Sequence, residues 1–163
     1  MDPLKVGVAT VVVAVGATGT GIGVSKYLNT PYSLKSFLDS DDGKSKRNEY
    51  SSKLGGIDKN QKLFVANTKS NDWWWRKKYK ELQQAESKST EFNAATDYSE
   101  DATDTNSKAI NKLCDDAYKK DPSTISTTAT DTNPTYKQDI AKYCTVSSQV
   151  DDITWTTTTG AAG

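Results

Sequence analysis

The chain has 163 residues, of which 21 are basic, 21 are acidic and none is histidine. This length suits one domain of ordinary size. The zero net charge excludes a uniformly basic nucleic-acid-binding protein and a uniformly acidic one. The lack of histidine in the sequence excludes catalytic triads and metal sites built on imidazole. Only 34% of the residues are hydrophobic, compared with about 45–50% in typical domains.

An uncharged segment lies near the N-terminus, from Val6 to Ser25, with a lysine on each side. About 20 residues is the length at which a helix crosses a hydrocarbon core of roughly 30 Å. We favour a single transmembrane helix, which makes residues 1–26 a membrane anchor. A secretory signal peptide, cleaved or retained, is a second interpretation.

A third interpretation of the same segment is a phosphate-binding loop over Gly16–Gly23, preceded by a run of valines as in a buried strand. Gly19 and Gly21 supply G-x-G, but the third glycine of G-x-G-x-x-G would fall at Val24. No alternating strand and helix pattern follows it. A soluble nucleotide-binding enzyme that uses this loop therefore stays the alternative function.

Three segments after the anchor have the periodicity of amphipathic helices. They cover residues 72–84, 106–120 and 133–144, with Asp72 as a predicted N-cap and Pro134 at the first helical position. Their apolar stripes are formed, in chain order, by Trp75, Tyr79 and Leu82; by Ile110, Leu113, Cys114 and Ala117; and by Tyr136, Ile140, Tyr143 and Cys144. All three stripes fit one small helical core.

The remaining parts of the chain carry weaker patterns. Helices are expected over 31–39 and 44–54, while 58–66 fits either a helix or a strand. Residues 122–132 form a Thr- and Ser-rich linker. The predicted fold is thus mainly α: a transmembrane helix over 1–26, a small helical bundle over 27–155 and a disordered tail over 156–163.

The two cysteines, Cys114 and Cys144, both lie on apolar stripes. Two interpretations remain open: a pair of buried free thiols, or a disulfide between the second and third helices. A bridge that closes a loop of roughly 30 residues would stabilise the fold by about 3–4 kcal/mol. A metal site is not expected, because two cysteines without histidine or C-x-x-C offer too few soft ligands.

Two motifs resemble a known group of proteins. They are I-x-x-L-C-x-x-A-Y-K-K, from Ile110 to Lys120, and Y-x-x-x-I-A-x-Y-C-T-V, from Tyr136 to Val146. With the N-terminal span and the Trp-rich helix, they resemble large paralogous families of uncharacterised proteins in haemotropic mycoplasmas, although Tyr143 stands where that family has tryptophan. The resemblance implies a membrane-anchored, surface-displayed protein with its N-terminus in the cytoplasm and no assigned activity.

The most distinctive stretch is Trp73–Lys80, which reads WWWRKKYK. Three consecutive tryptophans on a helix span about 200° of arc, so a single contact with the core cannot bury them all. One interpretation packs Trp75 and one neighbour into the core, with the basic residues, Lys78 included, on the other faces. The other is a ligand-binding module for a glycan, single-stranded nucleic acid or anionic lipid. Its predicted residues are Trp73, Trp74, Arg76 and Lys77.

Carboxylates are numerous, but each lies in polar surroundings, so we expect solvated side chains rather than a catalytic pair. The residues concerned are Asp41, Asp42, Asp97, Glu100, Asp101, Asp115, Asp116, Asp151 and Asp152. The sequence therefore predicts display or interaction rather than catalysis, without cofactor, metal or specific nucleic acid. The expected location is the cell membrane, with one membrane pass and the body outside, where the partners are the lipid bilayer and a host or surface component.

Overall fold

The computed structural model describes residues 30–98, 108–125 and 134–156. In these ranges the chain is mainly helical, as predicted, and forms seven α-helices and isolated β-bridges. The helices are α1 (Leu34–Asp39), α2 (Arg47–Tyr50), α3 (Asp58–Leu63), α4 (Asp72–Gln83), α5 (Thr90–Asn93), α6 (Ile110–Tyr118) and α7 (Pro134–Cys144). Short 3-10 turns cover Lys44–Lys46, Leu54–Gly56, Lys69–Asn71, Pro122–Thr124 and Val150–Asp152.

The predicted anchor over 1–26, the loop over Gly16–Gly23 and all of the predicted tail except residue 156 lie outside the described residues. Within the described ranges, no helix combines the length and the apolar character that crossing a membrane requires.

The three strongest helix predictions are confirmed as α4, α6 and α7, with shifted ends. Asn71, not Asp72, is the N-cap residue of α4. The α6 helix begins only at Ile110, because residue 109 is extended and pairs with Asp97, whose carbonyl oxygen accepts a hydrogen bond from the Ile110 N–H at 2.8 Å. Tertiary pairing thus shortens a helix whose periodicity extends further.

The weaker predictions are corrected in detail. The helix expected over 44–54 is divided into a 3-10 turn, α2 and a second 3-10 turn. It breaks at Ser52, whose φ of 59° is incompatible with a continuing right-handed helix. The segment over 58–66 contains both expected structures: α3 ends at Leu63, and the next two residues are extended and take part in β-bridges.

Residues 64–66 form an extended segment that lies between two other parts of the chain, and we call it the central segment. On one side the Leu34 N–H donates to the Phe64 carbonyl oxygen at 2.8 Å. On the other side the Val65 N–H donates to the Cys144 carbonyl oxygen at 3.0 Å. The central segment therefore joins the start of the described chain to the end of α7.

The core surrounds the central segment and, among the described residues, contains eight buried aromatic side chains. The Phe64 ring is fully buried and stacks on the fully buried Tyr118 ring, with centroids 4.2 Å apart. Leu, Ile, Val and Phe make up only about 13% of the sequence after Lys26, so aromatic side chains supply much of the buried apolar area.

Two buried asparagines fasten the ends of the described chain. The Asn71 side chain accepts a hydrogen bond from the Tyr32 N–H at 2.7 Å and donates to the carbonyl oxygens of Tyr32 and Ala66. The Asn60 side chain likewise accepts from the Thr154 N–H at 2.8 Å and donates to two carbonyl oxygens. Both asparagines are completely buried, so these backbone groups take the place of water around the two side-chain amides.

We expect Asn71→Ala to lower the free energy of unfolding by about 2–4 kcal/mol, because it removes three hydrogen bonds and leaves the half-buried Tyr32 N–H without its partner. Urea denaturation of the full chain measures this change. Asn48→Ala, at an exposed position of α2, is the matched control and should shift stability by less than about 0.5 kcal/mol. Equal effects of the two substitutions would contradict a structural role for Asn71.

Candidate functional site

The structure brings Cys114 of α6 and Cys144 of α7 together at disulfide distance, with their sulphur atoms 1.97 Å and their Cα atoms 5.4 Å apart. Both residues are completely buried, and the described residues contain no free cysteine. Of the two interpretations of the cysteines, the bridge is thus the one that the geometry supports. It links positions 30 residues apart in the sequence.

The carbonyl oxygen of Cys144 is also bound, by two hydrogen bonds. It accepts a hydrogen bond from the Tyr118 hydroxyl at 2.7 Å, in addition to the bond from Val65. Tyr118 follows Cys114 by one helical turn, so residues from two successive turns of α6 bind Cys144 of α7. Burial, the main cause, raises the pKa of Tyr118 well above its usual value.

Removing the bridge with Cys114→Ala/Cys144→Ala should lower the free energy of unfolding by about 3–4 kcal/mol, because the unfolded chain regains the freedom of the closed loop. Denaturation with and without reductant measures the effect, and the double variant should be indifferent to reductant. Mass spectrometry under non-reducing conditions should show that the native chain lacks both thiol hydrogens. Thiols that can be alkylated in the denatured, unreduced chain would contradict the bridge.

The triple-tryptophan stretch follows the packing interpretation. Trp75 and Trp74 are buried, whereas Trp73 is half-buried and lies edge-on to Trp74, with ring centroids 5.9 Å apart. The three indole N–H groups find no hydrogen-bond acceptor among the described residues, so these rings contribute through packing. Burial of Trp74 removes most of its ring from the predicted ligand face.

Two lysines cover Trp74. The Lys78 ammonium lies 4.9 Å from the centre of the Trp74 ring, and the Lys77 ammonium lies 5.9 Å from it, distances that suit cation–π contact. Lys78 is only 6% exposed and pairs with Glu81 at 3.0 Å. The prediction that placed Lys78 on a polar face was therefore wrong, because its ammonium finds both a ring and a carboxylate inside.

The outward side of α4 carries a separate set of residues, which we call the outer face. Trp73, Arg76, Lys77 and Lys80 are spaced i, i+3, i+4 and i+7, so they share one side of the helix. The three cationic residues are exposed. The Arg76 guanidinium lies 4.3 Å from the centre of the Tyr98 ring. Of the predicted ligand-binding residues, Trp73, Arg76 and Lys77 thus remain accessible together.

A buried carboxylate lies on α6, where the sequence predicts a solvated one. Asp115 is 6% exposed and accepts hydrogen bonds from the Tyr50 hydroxyl at 2.6 Å and the Lys119 ammonium at 2.8 Å. Lys119 also pairs with Glu49 at 2.7 Å. The partners neutralise Asp115 and tie α2 to α6, so its carboxylate is a structural group and not a free base.

The other carboxylates that the sequence predicts to be solvated are exposed, half-buried or outside the described residues. Exposed positions hold Asp41, Asp42, Asp97, Asp116 and Asp151. Asp152 is half-buried, and Glu100 and Asp101 are outside the described ranges. Among the described residues, no three His, Cys, Asp or Glu side chains gather closely enough to hold a metal ion.

Sequence reasoning also missed Asp139 of α7, which is 3% exposed. Its carboxylate accepts a hydrogen bond from the Ser89 N–H at 2.7 Å, just before α5, and burial raises the pKa of the group. Asp139 stands next to the stripe residue Ile140, as Asp115 stands next to Cys114 and Lys78 stands next to Tyr79. A polar residue beside a strong apolar stripe is the only sequence signal that these three buried groups share.

We expect stability to fall above pH 10. Burial is the main cause that raises the pKa of Tyr50 and Tyr118 well above 10.0 in the folded chain, whereas tyrosines of the unfolded chain ionise near that value. The folded state therefore keeps protons that the unfolded state loses, and its advantage is complete below pH 10 and lost as the pH rises.

Phenolate absorbance against pH, recorded with circular dichroism, tests this expectation. The absorbance of the buried tyrosines should appear together with unfolding, and Tyr50→Phe should reduce the dependence of unfolding free energy on pH by about one proton. Complete ionisation of all eight tyrosines before the loss of helicity would contradict it.

Comparison with known proteins adds no relative. No family model matches the chain, and neither the curated proteins nor the solved structures contain a match. Function is therefore inferred from the residues of this chain.

Proposed function

We propose that this protein is displayed at the outer surface of a cell, held there by an N-terminal membrane anchor, and that it acts by interaction and not by catalysis. The observation that carries this proposal is the completely buried Cys114–Cys144 pair at disulfide distance. The uncharged segment from Val6 to Ser25 supports the anchor.

The disulfide favours an oxidising location. Protein disulfides persist outside the cytoplasm and are rare inside it, where thiol reductants act. This body is short of aliphatic residues, so the stability that a bridge adds is a large share of what a small domain has. A chain that depends on a bridge in this way is suited to the cell exterior.

The anchor follows from what lipid does to a Gly-, Ala- and Val-rich segment. In water such a composition is a poor helix former, but in a bilayer the backbone groups have only each other as hydrogen-bond partners. The resemblance to the mycoplasma families favours a cytoplasmic N-terminus, which puts the disulfide-linked body outside.

The buried ionisable groups support interaction over catalysis. Asp115 has tyrosine and lysine partners, Asp139 accepts a backbone N–H, and Lys78 pairs with Glu81. The two aspartates each join a helix to another part of the fold, and Lys78 and Glu81 form a pair within α4. A proton-transfer residue would need an open position beside a substrate.

Protease treatment of intact cells tests display. We expect the protease to remove the body, residues 30–156, and to leave an N-terminal fragment in the membrane. A cytoplasmic enzyme in the same cells is the control and must stay intact. A body that is cut only after the cells are broken would overturn display on the surface.

Fractionation separates the proposal from the nucleotide-binding alternative. A full-length chain in the high-speed supernatant of a detergent-free lysate, with a melting temperature raised by NAD(P) or ATP, would favour a soluble enzyme that uses Gly16–Gly23. Thiol labelling of intact cells completes the test, because Cys114 and Cys144 should react only after unfolding and reduction.

A further inference from the structure

We propose that the outer face of α4, formed by Trp73, Arg76, Lys77 and Lys80, docks on the anionic headgroup layer of the membrane that anchors the chain. The ligand is the layer of phospholipid headgroups that carry a net negative charge. This inference rests on the anchor in the proposed function and adds to it the part of the body that faces the lipid.

The chain enters the body beside the start of α4. The Tyr32 N–H donates to the Asn71 side chain at 2.7 Å, and the Asn71 amide donates back to the Tyr32 carbonyl oxygen at 2.8 Å. Asn71 is the residue immediately before α4, and Trp73 lies in the first turn of that helix. The entry point of the chain is therefore fixed at the N-terminal end of α4.

The few residues between the uncharged segment and the body limit how far the body can lie from the membrane. The uncharged segment ends at Ser25, five residues before Thr30, where the described body begins. Five residues span at most about 18 Å when fully extended. The α4 helix has 12 residues, so its length is also about 18 Å. A span that ends at Ser25 would thus hold the start of α4 close to the headgroups, and the rest of the outer face within one helix length.

The outer face carries three basic residues. Arg76, Lys77 and Lys80 take part in none of the ion pairs of the described residues. The acidic residues of α4, Asp72 and Glu81, are half-buried and lie to either side of the outer face. Three exposed cations on one side of one helix, with no acid among them, match an anionic surface.

Trp73 suits the same surface. Its indole is half-buried against Trp74 with the N–H inside, so it presents an apolar part of the ring next to the basic residues. Tryptophan prefers the boundary between headgroups and acyl chains, and lysine stems extend along apolar material while their ammonium groups stay in water. Each lysine or arginine near an anionic bilayer strengthens binding about fivefold.

Lysine acylation of the full chain in vesicles tests the docking. The chain is reconstituted in phosphatidylcholine alone or with phosphatidylglycerol, treated with an acetylating reagent and analysed by mass spectrometry. We expect Lys77 and Lys80 to react severalfold more slowly in the anionic vesicles, and high salt to remove the difference. Lys59 and Lys62, which are exposed on α3, should react equally in both vesicles.

A matched pair of charge reversals sharpens the test. Lys80→Glu should return Lys77 to the reaction rate found in neutral vesicles, because docking loses at least about fivefold in affinity. Lys62→Glu makes the same change in net charge at an exposed position of α3 and should leave the protection of Lys77 intact.

The outcomes separate the two proposals. If the chain floats with the vesicles but Lys77 and Lys80 are acetylated equally fast in both lipids, the docking proposal is overturned. The anchor proposal then still holds. A chain that does not float with vesicles overturns the anchor and, with it, the docking. If soluble heparin slows the acetylation of Lys77 and Lys80 in neutral vesicles and phosphatidylglycerol does not, the lipid assignment is overturned in favour of a polyanionic glycan.

Discussion

The fixation of Cys144 by α6 is the constraint on which the rest of the structure depends. Its sulphur is bound to Cys114, and its carbonyl oxygen accepts hydrogen bonds from Tyr118 and from Val65 of the central segment. A covalent bond and two hydrogen bonds thus meet at one residue. The Tyr118 ring also stacks on Phe64, so the contact that joins α6 to α7 also holds the central segment against both.

This arrangement explains how a chain with few aliphatic residues keeps a fixed core. Large rings fill the space that leucines and valines would otherwise fill, and lysine ammonium groups lie near several of the rings. Four such contacts are Lys46 on Phe37, Lys120 on Tyr136, Lys137 on Trp155 and Lys142 on Tyr143. The abundant lysines therefore lie against aromatic rings as well as supplying surface charge.

Periodicity predicted the helices that carry strong stripes, because α4, α6 and α7 each bury one side against the core. It did not predict what depends on distant residues. The Asp115 carboxylate is buried because Tyr50, 65 positions earlier, donates to it, and Asn60 is buried because it binds Thr154, 94 positions later. In the candidate site, the helical spacing of apolar residues predicted the burial of Trp75. The burial of Trp74 and Lys78 depends on the contact between these two side chains, which the spacing does not show.

The attachment of Tyr32 to Asn71 determines how the body would respond to mechanical load. Tension applied through the N-terminal segment acts on this pair of hydrogen bonds and on the bond from the Ala66 N–H to the Tyr32 carbonyl oxygen. Only the residues ahead of the covalent loop can be drawn out, since the 30-residue separation between the cysteines is closed by a bond that hydrogen-bond rupture leaves intact. A pulled molecule would thus lengthen only in part, because the covalent loop from Cys114 to Cys144 adds no length until the disulfide breaks.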